Sequence, residues 1–322
     1  MMIYVNHLFF KESEELPMLK KHFKKLVSLA LTAVMVMGMS VTSFAAETET
    51  EIPAYSVTVN EYDIYVQTRC ATQAQLARSG MDSDSIDVIK SNAIETKLSE
   101  LSNKSEKELS QLGYTSEQID LLQNYNGERI ETNAELRGIF ADMTCNFYKY
   151  SASTSSLAVK VIWNWSNVPV LAGVAIKDII GIRWQGTNSS GQPLNLALNT
   201  NGSSCKISYY SRSGSYKSRS SVSISTDDPY GHAYAKIPMS AGTGDAVGDY
   251  YAKKGTLILK VDRTGSNSIK EGAFVFGYGH TIVSVSPSLS LPASFGIGFS
   301  AGVETMCEEA IRMNNSGTIT KY

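Results

Sequence analysis

The chain has 322 residues, 43% hydrophobic and 19% charged, enough for one large or two ordinary domains around a real apolar core. Its 29 Lys and Arg stand against 31 Asp and Glu, a formal net charge of -2, which argues against a nucleic-acid binder. The 4 cysteines lack Cys-x-x-Cys spacing: they are too sparse for a disulfide scaffold and support neither a zinc ribbon nor thioredoxin-like redox chemistry.

Residues 18–45 have the plan of a secretory signal peptide. Lys20, Lys21, His22, Lys24 and Lys25 form a basic start, and Leu26–Met39 is an apolar run too short for a membrane span. Ser43 and Ala45 are the small residues at −3 and −1 of a cut between Ala45 and Ala46. Glu12, Glu14, Glu15 and Pro17 do not suit a basic leader, so the expected start is Met18, with residues 1–17 a mistaken start; the alternative is an unusually long leader segment. The lysine-rich segment resembles those of Gram-positive secreted proteins. No cysteine follows the cut, no later apolar run reaches about 18 residues, and Asn314–Tyr322 carries no hydrophobic tail or sorting signal. The expectation is a secreted chain, neither lipoprotein nor sortase-anchored, with no transmembrane segment after cleavage.

Residues 46–138 read as an acidic helical module. Asn60 is placed to cap a helix running to about Arg78, closed by Gly80. Asp82 or Ser83 opens another, with Ile86, Ile89, Ala93, Ile94 and Leu98 at helical spacing. Ser105-Glu106-Lys107-Glu108 and Thr115-Ser116-Glu117-Gln118 are capping boxes, and Gly113 and Gly127 are the matching stops. This pair has the outline of a helix-turn-helix DNA reader. However, residues 82–135 hold twelve carboxylates against five Lys or Arg, which repel phosphate. Asp82-Ser83-Asp84-Ser85-Ile86-Asp87 starts like a calcium loop and fails as one, because Ile86 takes a ligand position and the twelfth residue is Ala93.

From about Ile139 the period changes to two. Met143–Tyr150, Leu157–Ser166, Lys177–Gln185, Cys205–Ser211, Lys217–Thr226, His232–Pro238, Thr256–Arg263, Ala273–Val285 and Phe295–Val303 read as strands separated by turn formers such as Asn201-Gly202 and Asp227-Asp228-Pro229. The fold expected is α+β: a small helical module, then an antiparallel β-sandwich of about nine strands over residues 139–322, with an incomplete barrel as the alternative. No βαβ rhythm supports an α/β hydrolase. The β half carries more Lys and Arg than carboxylates. That excess either docks on the acidic helices or faces an anionic wall polymer or membrane.

Three groups of residues are candidates for chemistry. Trp163 and Trp165 share one strand face with Val159 and Val161; such a pair reads first as core and second as a platform for a sugar ring. Tyr209–Arg219 reads as a hairpin turning at Ser213-Gly214, whose tip gathers Tyr210, Arg212, Tyr216, Lys217 and Arg219, residue types that dominate recognition patches. His232 and His280 fit no HExxH or HxH pattern, and Cys145 and Cys205 sit at no visible helix N-terminus that would activate a thiol. There is no GxSxG. Residues 273–303 form a long alternating stretch, the texture of a membrane-inserting hairpin, but the alternation is uneven and Pro287 and Pro292 interrupt it.

The sequence therefore leads to a secreted, non-enzymatic binding or surface-interaction module with a cell-wall glycan or anionic polymer as partner. No nucleic acid, metal or cofactor is implied. The ligand-binding candidates are Tyr210, Arg212, Tyr216 and Arg219, then Trp163 and Trp165. The alternatives are a pore-forming protein and a wall hydrolase using Cys145 or His280. The pairing of Cys70, Cys145, Cys205 and Cys307 stays open between two disulfides and four thiols.

Overall fold

The computed structural model describes residues 51–78, 83–169, 177–241, 250–281, 287–290, 295–300 and 303–322. The expected signal segment, residues 1–17, Gly80, Asp82 and Pro292 lie outside the described residues. Residues 52–322 form one unit.

The first element is a strand, β1 (Tyr55–Asn60), and Asn60 ends it by capping helix α1 (Glu61–Cys70), its side chain accepting from the Tyr62 N–H at 2.8 Å. The helix ends at Ala71, so the segment expected to run to Arg78 is two helices, α1 and α2 (Gln73–Arg78). Then come α3 (Ser83–Lys90), α4 (Ala93–Ser102), α5 (Glu106–Gln111) and α6 (Ser116–Gln123). Both capping boxes form: Ser105 with Glu108 opens α5, and Thr115 with Gln118 opens α6. Gly113 and Gly127 follow with φ of 87° and 92°, a backbone that L side chains rarely adopt. Tyr62, Tyr65, Leu98, Leu101, Leu109 and Leu122 bury one face of these helices against Ile139 and Phe140.

The chain is otherwise built of antiparallel strands in two main sheets, consistent with a β-sandwich. In order they are β2 (Asp142–Ala152), β3 (Ser156–Trp165), β4 (Lys177–Asn188), β5 (Pro193–Leu194), β6 (Leu196–Leu198), β7 (Ser204–Ser211), β8 (Tyr216–Val222), β9 (His232–Pro238), β10 (Ser240–Ala241), β11 (Tyr250–Arg263), β12 (Ile269–Thr281), β13 (Leu289–Ser290), β14 (Gly298–Phe299), β15 (Val303–Asn314) and β16 (Ile319–Lys321). The sequence suggested about nine strands; the described residues hold sixteen, several of two or three residues. The first sheet runs β1-β2-β3-β11-β7-β8, and the second runs β16-β15-β12-β4 with β5 and β9 both on the far side of β4. The helices are thus an excursion between two paired strands, since β1 lies against β2 with Ser56 opposite Asn146.

Alternation sends one face of each sheet inward. Phe147, Val161, Trp163, Leu259 and Ile207 of the first sheet meet Ile182, Trp184, Phe276, Tyr278 and Ile311 of the second in one core. The uneven alternation of β12 has a physical cause. Its other face is covered too, by Ile297 and Phe299, which pack with Ile179, Val275 and Val303. Residues 269–281 are therefore the middle of the second sheet, paired with β4 and β15, rather than a free membrane-inserting hairpin. The Phe295–Val303 strand expected from the sequence is replaced by the short β14 and the longer β15.

Candidate functional site

The outward face of the first sheet is assembled from six strands by register. One row across it reads Arg219 (β8), Ser208 (β7), Lys254 (β11), Asn164 (β3), Thr144 (β2) and Thr58 (β1). The next row reads Ser221, Lys206, Thr256, Ile162, Asn146 and Ser56. Neighbouring hydroxyls and amides bond across strands, Thr58 with Thr144 at 2.8 Å and Ser56 to Asn146 at 2.6 Å. Lys206, Arg219 and Lys254 are exposed, and among the described residues no carboxylate lies within ion-pair distance of any of them. At strand and row spacings the three cations fall within roughly 10 Å of one another. Lys260, farther along β11, is partly answered by Asp262 at 3.9 Å, and Lys160 is buried, its ammonium over the Tyr148 ring. The result is a polar face of donors with a local excess of positive charge.

The predicted hairpin forms, with Ser213-Gly214 in the turn and Gly214 at φ 85°. Tyr210 and Tyr216 are directly opposed, their rings 5.6 Å apart edge to face, and Arg219 shares their side of the ribbon. Residues 216–221 of β8 are all exposed, as suits a sheet edge guarded by cations. Arg212 behaves differently. It is half-buried, its backbone oxygen sits against Gly113, and its positive charge lowers the hydroxyl pKa values that burial raises at Tyr114 and Tyr251. Arg212 therefore joins the hairpin to the turn between α5 and α6 and leaves the exposed patch. Lys217 lies 5.5 Å over the Tyr250 ring. The sequence reading missed Lys206 and Lys254, which belong to other strands. The signal was present in the outward parity of Lys206-Ser208-Tyr210 and Lys254-Thr256.

Trp163 and Trp165 are 0% exposed and offer no surface to a sugar. Both face the second sheet, each packing edge-on against Tyr278 at 6.0 and 5.8 Å. Gly255 makes room for Trp163; a Cβ there would lie 1.9 Å from the indole.

Trp165 also belongs to a buried polar network where α1 meets the sandwich. Its Nε1 donates to the Tyr278 hydroxyl at 3.3 Å, and Tyr278 donates to Asp178 Oδ2 at 2.7 Å. Asp178 also accepts from the Thr281 N–H and from His280 Nδ1, both at 3.0 Å. His280 Nε2 lies 3.8 Å from Glu61 Oε1, which accepts from Tyr65 at 3.2 Å. Burial, then the Asp178 charge, pushes the Tyr278 hydroxyl pKa well up, so it remains a donor. Glu61, Asp178 and His280 are each fully enclosed. His232 pairs with Asp227 and lies opposite Arg183, five residues along β4 from Asp178, roughly 17 Å away. The two histidines share no cleft. Cys145, the proposed nucleophile, is buried in the core. Among the described residues no group of three or more His, Cys, Asp or Glu is placed to hold a metal ion, and no helix is long and apolar enough to cross a membrane.

No protein-family model matches the chain, and no curated protein matches it. Among solved structures it is similar to the collagen-binding domain from a Staphylococcus aureus adhesin, at 13% identity over 52% of this chain and 97% of that one, TM-score 0.24. It is similar to the collagen-binding domain of Erysipelothrix rhusiopathiae surface protein RspB at 8% identity over 57% and 69%, TM-score 0.20. AvmM, which catalyzes macrocyclization in alchivemycin A biosynthesis, matches at 9% identity over 53% and 88%, TM-score 0.26. TM-scores this low carry no argument about what the present chain does.

Proposed function

We propose that this chain is an exported, non-enzymatic binding module that takes an anionic wall polymer on the outward face of its first sheet. Lys206, Arg219 and Lys254 contact the anionic groups, and Tyr210 and Tyr216 pack against the polymer's carbon backbone. The reading is carried by one observation: three exposed cations, clear of carboxylates among the described residues, within a field of Ser, Thr and Asn. Evenly spaced anions along a flexible chain suit such a face better than a single small ligand, which needs a concave site. Surface charge contacts contribute about 0.2–1 kcal/mol each, so the three supply about 0.6–3 kcal/mol, a threefold to hundredfold effect on affinity. The secretion signal at residues 18–45 is the support for placing the chain where such polymers occur.

Retention on purified cell wall tests the proposal, with intact wall compared against wall stripped of its anionic polymer. Retention lost on stripped wall and in the Lys206→Gln/Arg219→Gln/Lys254→Gln variant is expected. Equal retention of variant and wild type overturns the site. Full retention on stripped wall replaces the anionic polymer with a neutral glycan.

A further inference from the structure

Two of the four cysteines meet between the sheets. Cys145 points inward from β2, opposite Trp163 of β3, and Cys307 points inward from β15, opposite Tyr278 of β12. Trp163 and Tyr278 touch across the gap, ring centroids 6.0 Å apart. Two residues along, the contact repeats. Phe147 follows Cys145 and packs on Phe276 at 5.8 Å; Phe276 is the strand partner of Glu309, which follows Cys307 and accepts from the Tyr55 hydroxyl at 3.1 Å. These contacts bracket the two sulfurs and hold β2 directly over β15. The neighbouring Cys145 thiol, then burial, pushes the Cys307 thiol well above its ordinary pKa. The remaining cysteines lack this arrangement. Cys70 is exposed at the end of α1, and Cys205 is buried on β7, with burial alone pushing its thiol up to about 12.

We infer that Cys145 and Cys307 are an inter-sheet disulfide site, closed when the chain folds in the presence of an external low-molecular-weight disulfide. The Cys145 thiolate attacks one sulfur of the external disulfide and expels the first small thiolate. The Cys307 thiolate then attacks the Cys145 sulfur of the mixed disulfide and expels the second. Two protein S–H bonds are lost, their protons are taken up by the two departing thiolates, and the external disulfide is reduced by two electrons. Both sulfurs are buried in the folded chain, so the exchange runs before β2 and β15 close over it. The crosslink ties the two sheets together across about 160 residues, a loop length at which the constraint on the unfolded chain is large. The site goes beyond the binding reading and stands whether or not the outward face takes a polymer.

The test is refolding of the full chain from denaturant with oxidised glutathione, alkylation in denaturant without reductant, and peptide mapping. The expected result is one linked peptide pair joining Cys145 to Cys307, with Cys70 and Cys205 outside it as alkylated thiols or as mixed disulfides with glutathione. The oxidised chain should melt roughly 10 °C above the reduced chain, a difference that Cys307→Ala abolishes and Cys205→Ala preserves. The Cys70→Ser/Cys205→Ala variant, refolded in the same way, should give the same linked pair with no other cysteine present to compete. Four alkylated cysteines in oxidised chain that has regained its folded spectrum, or a peptide pair linked through Cys70 or Cys205, overturns the inference.

Discussion

Replacing Asp178 by Ala should be among the most costly single substitutions in this chain. The carboxylate accepts three buried donors: the Tyr278 hydroxyl at 2.7 Å, the Thr281 N–H at 3.0 Å and His280 Nδ1 at 3.0 Å. Each donor stranded in the core costs about 1–3 kcal/mol, though neighbouring losses do not add in full. Three donors stranded together in the core put the expected loss at about 3–5 kcal/mol. Against a total of about 5–15 kcal/mol for an ordinary domain this is a large fraction. Asp178→Asn keeps an acceptor for Thr281 and should cost about half as much. Urea unfolding followed by tryptophan fluorescence is the assay, because Trp165 sits in the network through Tyr278. A double-mutant cycle with His280→Gln should give a coupling above about 1 kcal/mol. A loss below about 1 kcal/mol for Asp178→Ala, or additive single mutants, would refute the assignment of this network as the clasp between α1 and the sandwich.

Gly255→Ala drives a methyl group into Trp163 and should destabilise the chain by about 1–3 kcal/mol; an unchanged urea midpoint contradicts the packing described. Gly113→Ala meets both a φ of 87° and the Arg212 carbonyl oxygen 2.3 Å from the new Cβ, so a loss of about 1–3 kcal/mol is expected by thermal melting. The Glu108 carboxyl is held below its ordinary 4.5 by the Ser105 hydroxyl and N–H, and that of Glu128 chiefly by Asn133. Both bind a proton less readily folded than unfolded. Their contribution is thus complete above pH 4.5 and disappears as pH falls through the lowered folded values. Helical circular dichroism should show this acid slope, and Glu108→Gln should flatten part of it; an identical slope in the variant would count against the cap.

Local signals in the sequence were the most legible. The capping boxes at Ser105 and Thr115 and the cap at Asn60 depend on residues within three positions, and each forms in the structure. Strands such as His232–Pro238 followed from alternation alone. What escaped was set at long range. β1 is six residues beside a helix, and its partner lies some ninety residues on; nothing local marks it as a sheet edge. β15 carries Glu304, Glu308 and Glu309, which masked its inward Cys307, Ile311 and Met313. The Glu61-His280-Asp178 network joins residues more than one hundred positions apart. At the candidate site the hairpin aromatics were legible, because Tyr210 and Tyr216 flank one turn. Lys206 and Lys254 join Arg219 only through the register of three strands, and Arg212 turns away because Gly113 brings another backbone against it.

The central claim is most directly tested by calorimetric titration of the full chain with soluble poly(glycerol phosphate) at about 50 and about 300 mM salt. The account predicts saturable binding that weakens sharply at the higher salt. It also predicts binding lost in the Lys206→Gln/Arg219→Gln/Lys254→Gln variant and kept in Lys177→Gln/Lys270→Gln, whose exposed lysines lie on the second sheet. No heat of binding at low salt, or the same loss in both variants, would contradict it.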